Sequence, residues 1–173
     1  MAKLTERQIK EQDIDWYCLI NGRPTHIASM GGMIPLDFRD RENLRWYQEM
    51  VAGMRYVAEA RLNLENIQRM VDKGYEYLQD QMISEAIYNA NINNPGFVYL
   101  EGFDLPVRLF ASSFVEKARR GFQSFARLES DEGNAYLLIA EPEGTVNIAE
   151  IMGGLQLPRL ECRVMDDGGR IGI

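Results

Sequence analysis

The sequence predicts an α+β fold, with an antiparallel sheet packed on a long two-helix hairpin that is kinked or broken near Asn63. Three observations carry this expectation. Apolar residues repeat at helical spacing through residues 40–91, strand-like segments flank that stretch on both sides, and the two kinds of segment are segregated rather than alternating. Leu44, Tyr47, Val51, Met54, Ala58 and Leu62 form one helical stripe, and Leu64, Ile67, Val71, Tyr75, Leu78, Met82 and Ala86 form another. The two stripes differ in direction by about 130°, and the slip falls beside Asn63, a residue suited to helix caps. A single helix over 41–90 would be about 75 Å long. A compact chain of this size is only roughly 40 Å across, so two helices fit and one does not.

The elements follow in chain order within a single expected domain, 1–173. Residues 1–13 are highly charged and read as a mobile arm. Residues 14–38 read as a β-hairpin and a connection. Ile14–Ile20 is rich in strand formers, Asn21-Gly22 is a strong turn signal, and Thr25–Ser29 is the return strand. Pro24 leaves the turn at two or four residues, because it cannot donate to a ladder. A two-residue turn places Cys18 opposite Thr25. Asp40 is a suitable N-cap for the helical hairpin of 39–92, which ends among Asn89, Asn91, Asn93, Asn94, Pro95 and Gly96.

The remainder, 93–173, reads as mostly β with a short helix. Strands are expected over 97–102, 107–111, 122–129, 135–141 and 160–165, with an edge at 170–173. A capping box at Ser113–Glu116 and a terminal Gly121 bracket the helix. Asn147 and Glu150 cap a helical turn that stops at Gly153-Gly154.

Charge and chemistry bound the function. The chain carries 19 basic and 26 acidic residues, a net charge of −7. Its small basic clusters, Arg39/Arg41/Arg45 and Lys117/Arg119/Arg120, are interleaved with or flanked by acids. Nucleic acid is therefore not an expected partner. No apolar run approaches a membrane span, and the two cysteines, Cys18 and Cys162, form no disulfide framework, so a reducing cytoplasm is the expected compartment. With His26 as the sole histidine, neither a zinc site nor any other metal or cofactor is expected. A Cys18–His26 nucleophile pair is disfavoured because neither hairpin register places the two directly opposite each other.

Two readings of function result. The first is a cytoplasmic, non-enzymatic interaction or regulatory protein that binds another protein or itself. The second is a small-molecule-binding protein or enzyme with a pocket between the sheet and the helical hairpin. Arg23, His26, Arg45 and Tyr47 are the ligand-binding candidates for that pocket, and no catalytic residue is assigned.

Overall fold

The computed structural model describes residues 2–73, 102, 105–128, 135–144, 146, 147, 149, 152–154 and 156–173, with backbone alone at 105–110 and 128. It corrects the expected architecture. The described residues form a seven-stranded mixed sheet, with no antiparallel sheet lying on a long helical hairpin. The strand order is β1-β2-β4-β5-β7-β6, and β3 also pairs with β5. The strands are β1 Asp15–Ile20, β2 Arg23–Ala28, β3 Ala60–Leu62, β4 Gln123–Leu128, β5 Ala135–Pro142, β6 Arg163–Met165 and β7 Arg170–Gly172. The mixed character comes from one pair, the parallel β2 and β4.

The N-terminal residues are docked. Helix α1, Glu6–Glu11, is held by a capping box between Thr5 and Gln8 and buries Ile9. The Leu4 amide donates to the Arg39 carbonyl at 2.8 Å. The hairpin uses the two-residue turn: Asn21 and Gly22 have φ of 51° and 74°, the pair of left-handed residues that a tight β-hairpin requires. Its register sets Tyr17 opposite His26 and Cys18 opposite Thr25. Pro24 is tolerated because pairing with β4 starts only at Thr25.

The expected first helix is shorter than its stripe. Helix α2, Arg41–Ala52, starts at the Asp40 cap, whose side chain accepts from the Asn43 amide, and it stops at Gly53. Met54 and Ala58 lie outside it, and Leu62 is in β3. Tertiary contacts explain the switch. The Arg120 guanidinium donates to the carbonyls of Ala52 and Met54, and the amides of Val57 and Ala58 donate to the Arg119 carbonyl. Backbone groups that would continue the helix are thus already paired. The chain then extends along β5, with Ala60 opposite Pro142. The predicted break at Asn63 is present, and Asn63 caps α3, Leu64–Asp72. Residues 74–92, all of the expected strand at 97–102 except Gly102, and the 130–134 loop lie outside the described residues.

Residues 107–111 are helical, not a strand. They belong to α4, Leu105–Arg119, with Pro106 in the first turn, where its missing N–H leaves no bond unmade. Gly121 ends this helix as expected, at φ 99°. Its amide donates to Ala118, and that of Phe122 donates to Lys117, the two bonds of a Schellman ending.

Alternation along the strands divides the core by sheet face. On one face Ala28, Ala126, Leu137 and Ile139 pack against Ala111, Phe114, Val115 and Ala118 of α4 and Ile67 and Met70 of α3. On the other face Trp16, Cys18, Ile20, Ile27, Phe125, Tyr136, Leu138 and Ile171 form a second cluster with Ile9, Ile34 and Leu44. A third, smaller cluster joins Tyr17, Val51, Phe122 and Leu157. Asn66, buried at the fork where β3 and β7 leave β5, donates to the carbonyls of Leu138 and Gly169 at 2.9 and 2.8 Å. That clasp ties β5 to the turn before β7, where the Gly169 carbonyl also accepts from the Leu138 amide at 2.9 Å.

Candidate functional site: a buried Asp–His–Ser chain

Register assembles the site. His26 faces Tyr17 across the antiparallel pair and Ser124 across the parallel pair, so the three side chains lie in a row on the α4 side. Asp15, two residues before Tyr17, shares that face and reaches His26 diagonally. Its Oδ1 lies 2.8 Å from His26 Nε2, and Ser124 Oγ lies 2.5 Å from His26 Nδ1. An ionised Asp15 only accepts, so Nε2–H donates to it. In the neutral ring Nδ1 then accepts from the Ser124 hydroxyl. The rings of Tyr17 and Phe114 close over the imidazole, at centroid distances of 5.3 and 5.9 Å.

Two carboxylates at the outer end of this chain are perturbed in opposite directions. Burial raises Asp15, but His26, through charge and hydrogen bond, together with Lys117, outweighs it, and the net shift is downward. Asp13 is shifted upward, mainly by burial, despite accepting from the Met30 amide at 2.9 Å. Burial pushes the Tyr17 phenol far above its usual range.

A carboxylate orienting an imidazole that accepts from a serine hydroxyl is the hydrogen-bond order of a serine nucleophile. Access decides against that chemistry. Ser124 is 0% exposed and His26 1%, and the helix above them contributes buried core residues. A reacting carbonyl has no route to Oγ in this arrangement. What the chain does accomplish is to satisfy two buried polar side chains in the middle of a sheet.

The four candidates from the sequence have separate partners. Arg23 is half exposed and lies 3.4 Å from Glu141, which also pairs with Arg61. Arg45 is exposed and pairs with Glu49 along α2 at 2.9 Å. Tyr47 packs beside Val51 and donates its hydroxyl to the Gln156 carbonyl at 2.9 Å. His26 alone enters the buried chain. Sequence reasoning missed Asp15 and Ser124. Of the two hairpin registers left open, only the two-residue turn sets Tyr17 opposite His26 and Asp15 diagonal to it, and nothing local marked Ser124, 98 positions from His26.

An open cleft of about 280 Å³ lies elsewhere, lined by Arg61, Leu62, Asn63, Leu64, Glu65 and Glu141. Among the described residues no group of three or more His, Cys, Asp or Glu side chains is placed to hold a metal ion, and no helix is long and apolar enough to cross a membrane. Comparison of the chain with protein-family models, curated proteins and solved structures found no match.

Proposed function

We propose that this chain is a non-enzymatic protein of the cytoplasm that works by binding another protein or a second copy of itself. The observation that carries this reading is the sealing of Ser124 and His26. The catalytic-type set assembled here stabilises the sheet and does not meet a substrate. The surface supports the same reading. Trp46 and Met50, four residues apart on one face of α2, are 47% and 42% exposed, and Leu36 just before that helix is 61% exposed. Nucleic acid is disfavoured as a partner, because Arg39 and Arg120 of the two basic clusters are turned inward. Arg39 binds the Ile34 carbonyl and Glu6, and Arg120 binds the Glu116 carboxylate and the main-chain carbonyls of Ala52, Met54 and Glu116. A small-molecule site is the weaker reading, since Arg23, Arg45 and Tyr47 each have a separate partner.

The test has two arms. A fluorophosphonate probe should leave folded protein unlabelled, and Ser124 labelling that is lost in Ser124→Ala would sink the non-enzymatic reading. In the second arm, a photo-cross-linker at position 46 should yield a defined adduct, with a second copy of the chain or a single partner. An adduct pattern no different from that of a cross-linker at exposed Arg7 would remove α2 as the binding face.

A further inference from the structure

We propose that the tip of the β1–β2 hairpin is a self-modification site, where Asn21 loses ammonia and becomes isoaspartate. Asn21-Gly22 is the only asparagine–glycine step in the chain, and both residues are exposed. Covalent adjacency brings the reacting atoms together, because the Gly22 nitrogen and Asn21 Cγ belong to neighbouring residues and close a ring by bond rotation alone. The fold leaves that ring room to form. A Cβ placed on Gly22 would meet nothing within 4 Å, so no packed neighbour confines the tip. Among the described residues, neither the Asn21 side chain nor the Gly22 amide has a hydrogen-bond partner. Comparison with other left-handed turns isolates the chemistry. Asn21-Gly22 has φ of 51° and 74°, Met30-Gly31 has 47° and 77°, and Asp167-Gly168 has 53° and 93°. Methionine offers no carbonyl to attack, and a carboxylate is a far poorer acceptor than a carboxamide. Gly31 is also packed, since a Cβ there would fall 2.9 Å from the Lys10 carbonyl oxygen. Of these turns only the hairpin tip combines a thermolabile asparagine, a glycine successor and open space.

The reaction balances with water alone. The Gly22 amide nitrogen gives its proton to solvent base and attacks Asn21 Cγ. The N–Cγ bond forms, the Cγ–Nδ2 bond breaks, and ammonia leaves with a proton from solvent. Water then opens the cyclic imide. Attack at the former main-chain carbonyl carbon of Asn21 gives isoaspartate, and attack at Cγ gives aspartate. In sum one water is consumed and one ammonia is released. Ring closure needs rotation about the Asn21 Cα–C bond away from the tight-turn geometry. The folded hairpin therefore converts more slowly than an unstructured peptide.

The consequence is mechanical. Isoaspartate inserts a methylene carbon into the main chain at the tightest point of the hairpin. The two-residue loop requires left-handed backbone at both positions, and the lengthened link does not supply it. The Ile20–Arg23 pair opens, while Leu19, bonded to Pro158 and Leu160, and Thr25, paired with Gln123, hold the rest of the hairpin in place. The new carboxylate also competes for the Arg23 guanidinium with Glu141, 3.4 Å from it. The experiment is prolonged incubation of the folded full chain at mildly alkaline pH, warm but below its Tm, beside a synthetic peptide of residues 17–25. By the time the peptide has converted completely, peptide mapping should show the amide-to-acid mass gain at Asn21, with isoaspartate exceeding aspartate. The isoaspartate form should melt below fresh protein. Asn21→Asp, which adds the charge without lengthening the chain, should melt close to it, and Asn21→Gly should fold and lose the mass gain from the hairpin peptide. Asn21 still intact when the reference peptide is fully converted, or other asparagines converting ahead of it, would overturn the proposal. So would an isoaspartate form with unchanged Tm, or an Asn21→Asp variant that melts as low as the aged protein.

Discussion

Two chains of three polar side chains cross the same sheet and differ in almost every physical respect. Asp15–His26–Ser124 lies under α4 with its inner two members sealed. Arg23–Glu141–Arg61 lies at the surface, with the two arginine side chains 51% and 62% exposed. The second has more formal charge and contributes less. Exposed ion pairs are screened by water and lose side-chain freedom when they form, so each is worth about 0–1 kcal/mol. The buried chain has only one member with good access to solvent, Asp15, whose side chain keeps 45% of its surface. Deleting an inner member leaves a polar group with neither water nor partner. Energetic weight follows burial and satisfaction rather than charge.

That contrast breaks most directly at His26. His26→Ala leaves the Ser124 hydroxyl unpaired and opens space between Tyr17 and Phe114. The expected loss is about 3 kcal/mol in urea denaturation. A loss under about half a kcal/mol would mean that the buried chain carries no more weight than the exposed one. Ser124→Ala removes one hydroxyl and leaves Nδ1 without its partner, for an expected loss of about 1–2 kcal/mol.

The pH dependence sharpens the comparison, because the outer carboxylates act in opposite senses. Asp15 titrates lower folded than unfolded, so the unfolded chain binds more protons between the two values. Its stabilisation is present above the unfolded value and is lost as pH falls through the folded one, below the ordinary carboxylate range. Asp13 titrates higher folded than unfolded, so its protonation favours the native state and stability falls as pH rises through that window. Asp15→Asn should therefore flatten the acid side of the stability profile, while Asp13→Asn should flatten the rise-side loss above it. Thermal melts across an acid-to-neutral series would show this, and two unchanged profiles would refute both assignments. The smallest effect belongs to the surface. Glu141→Gln should cost less than about 1 kcal/mol, and the cost should shrink further in high salt. A calorimetric loss as large as that of His26→Ala would invert the ranking.

The same division between local and distant interactions explains what was readable beforehand. The Asn21-Gly22 turn, the Asp40 and Asn63 caps and the Gly121 ending were all legible, because each depends on residues within a few positions. At the expected Asn147 cap, the Asn147 side chain accepts from the Ala149 amide at 3.1 Å, and Glu150 lies outside the described residues. The stripe from Leu44 to Leu62 misled, because an apolar residue every three or four positions also suits a helix followed by a loop and a short strand. Arg120, nearly sixty positions beyond Leu62, supplies the contacts that end the helix. Residues 107–111 misled in the opposite sense, since their apolar run suits a buried helix as well as a strand.

By itself, then, the sequence determined the presence of the hairpin and the helix caps at Asp40 and Asn63 but left the hairpin register open between a two- and a four-residue turn. Tertiary structure decided the mixed sheet, the position of β3 on β5 and the meeting of Asp15, His26 and Ser124. The physical reason is the range of the interactions involved. Caps and tight turns are closed by backbone groups a few residues apart, and residue type alone favours them. The parallel pairing of β2 with β4 joins segments about a hundred residues apart. It is selected by how two whole faces bury together beneath α4, and no short stretch of either strand encodes that.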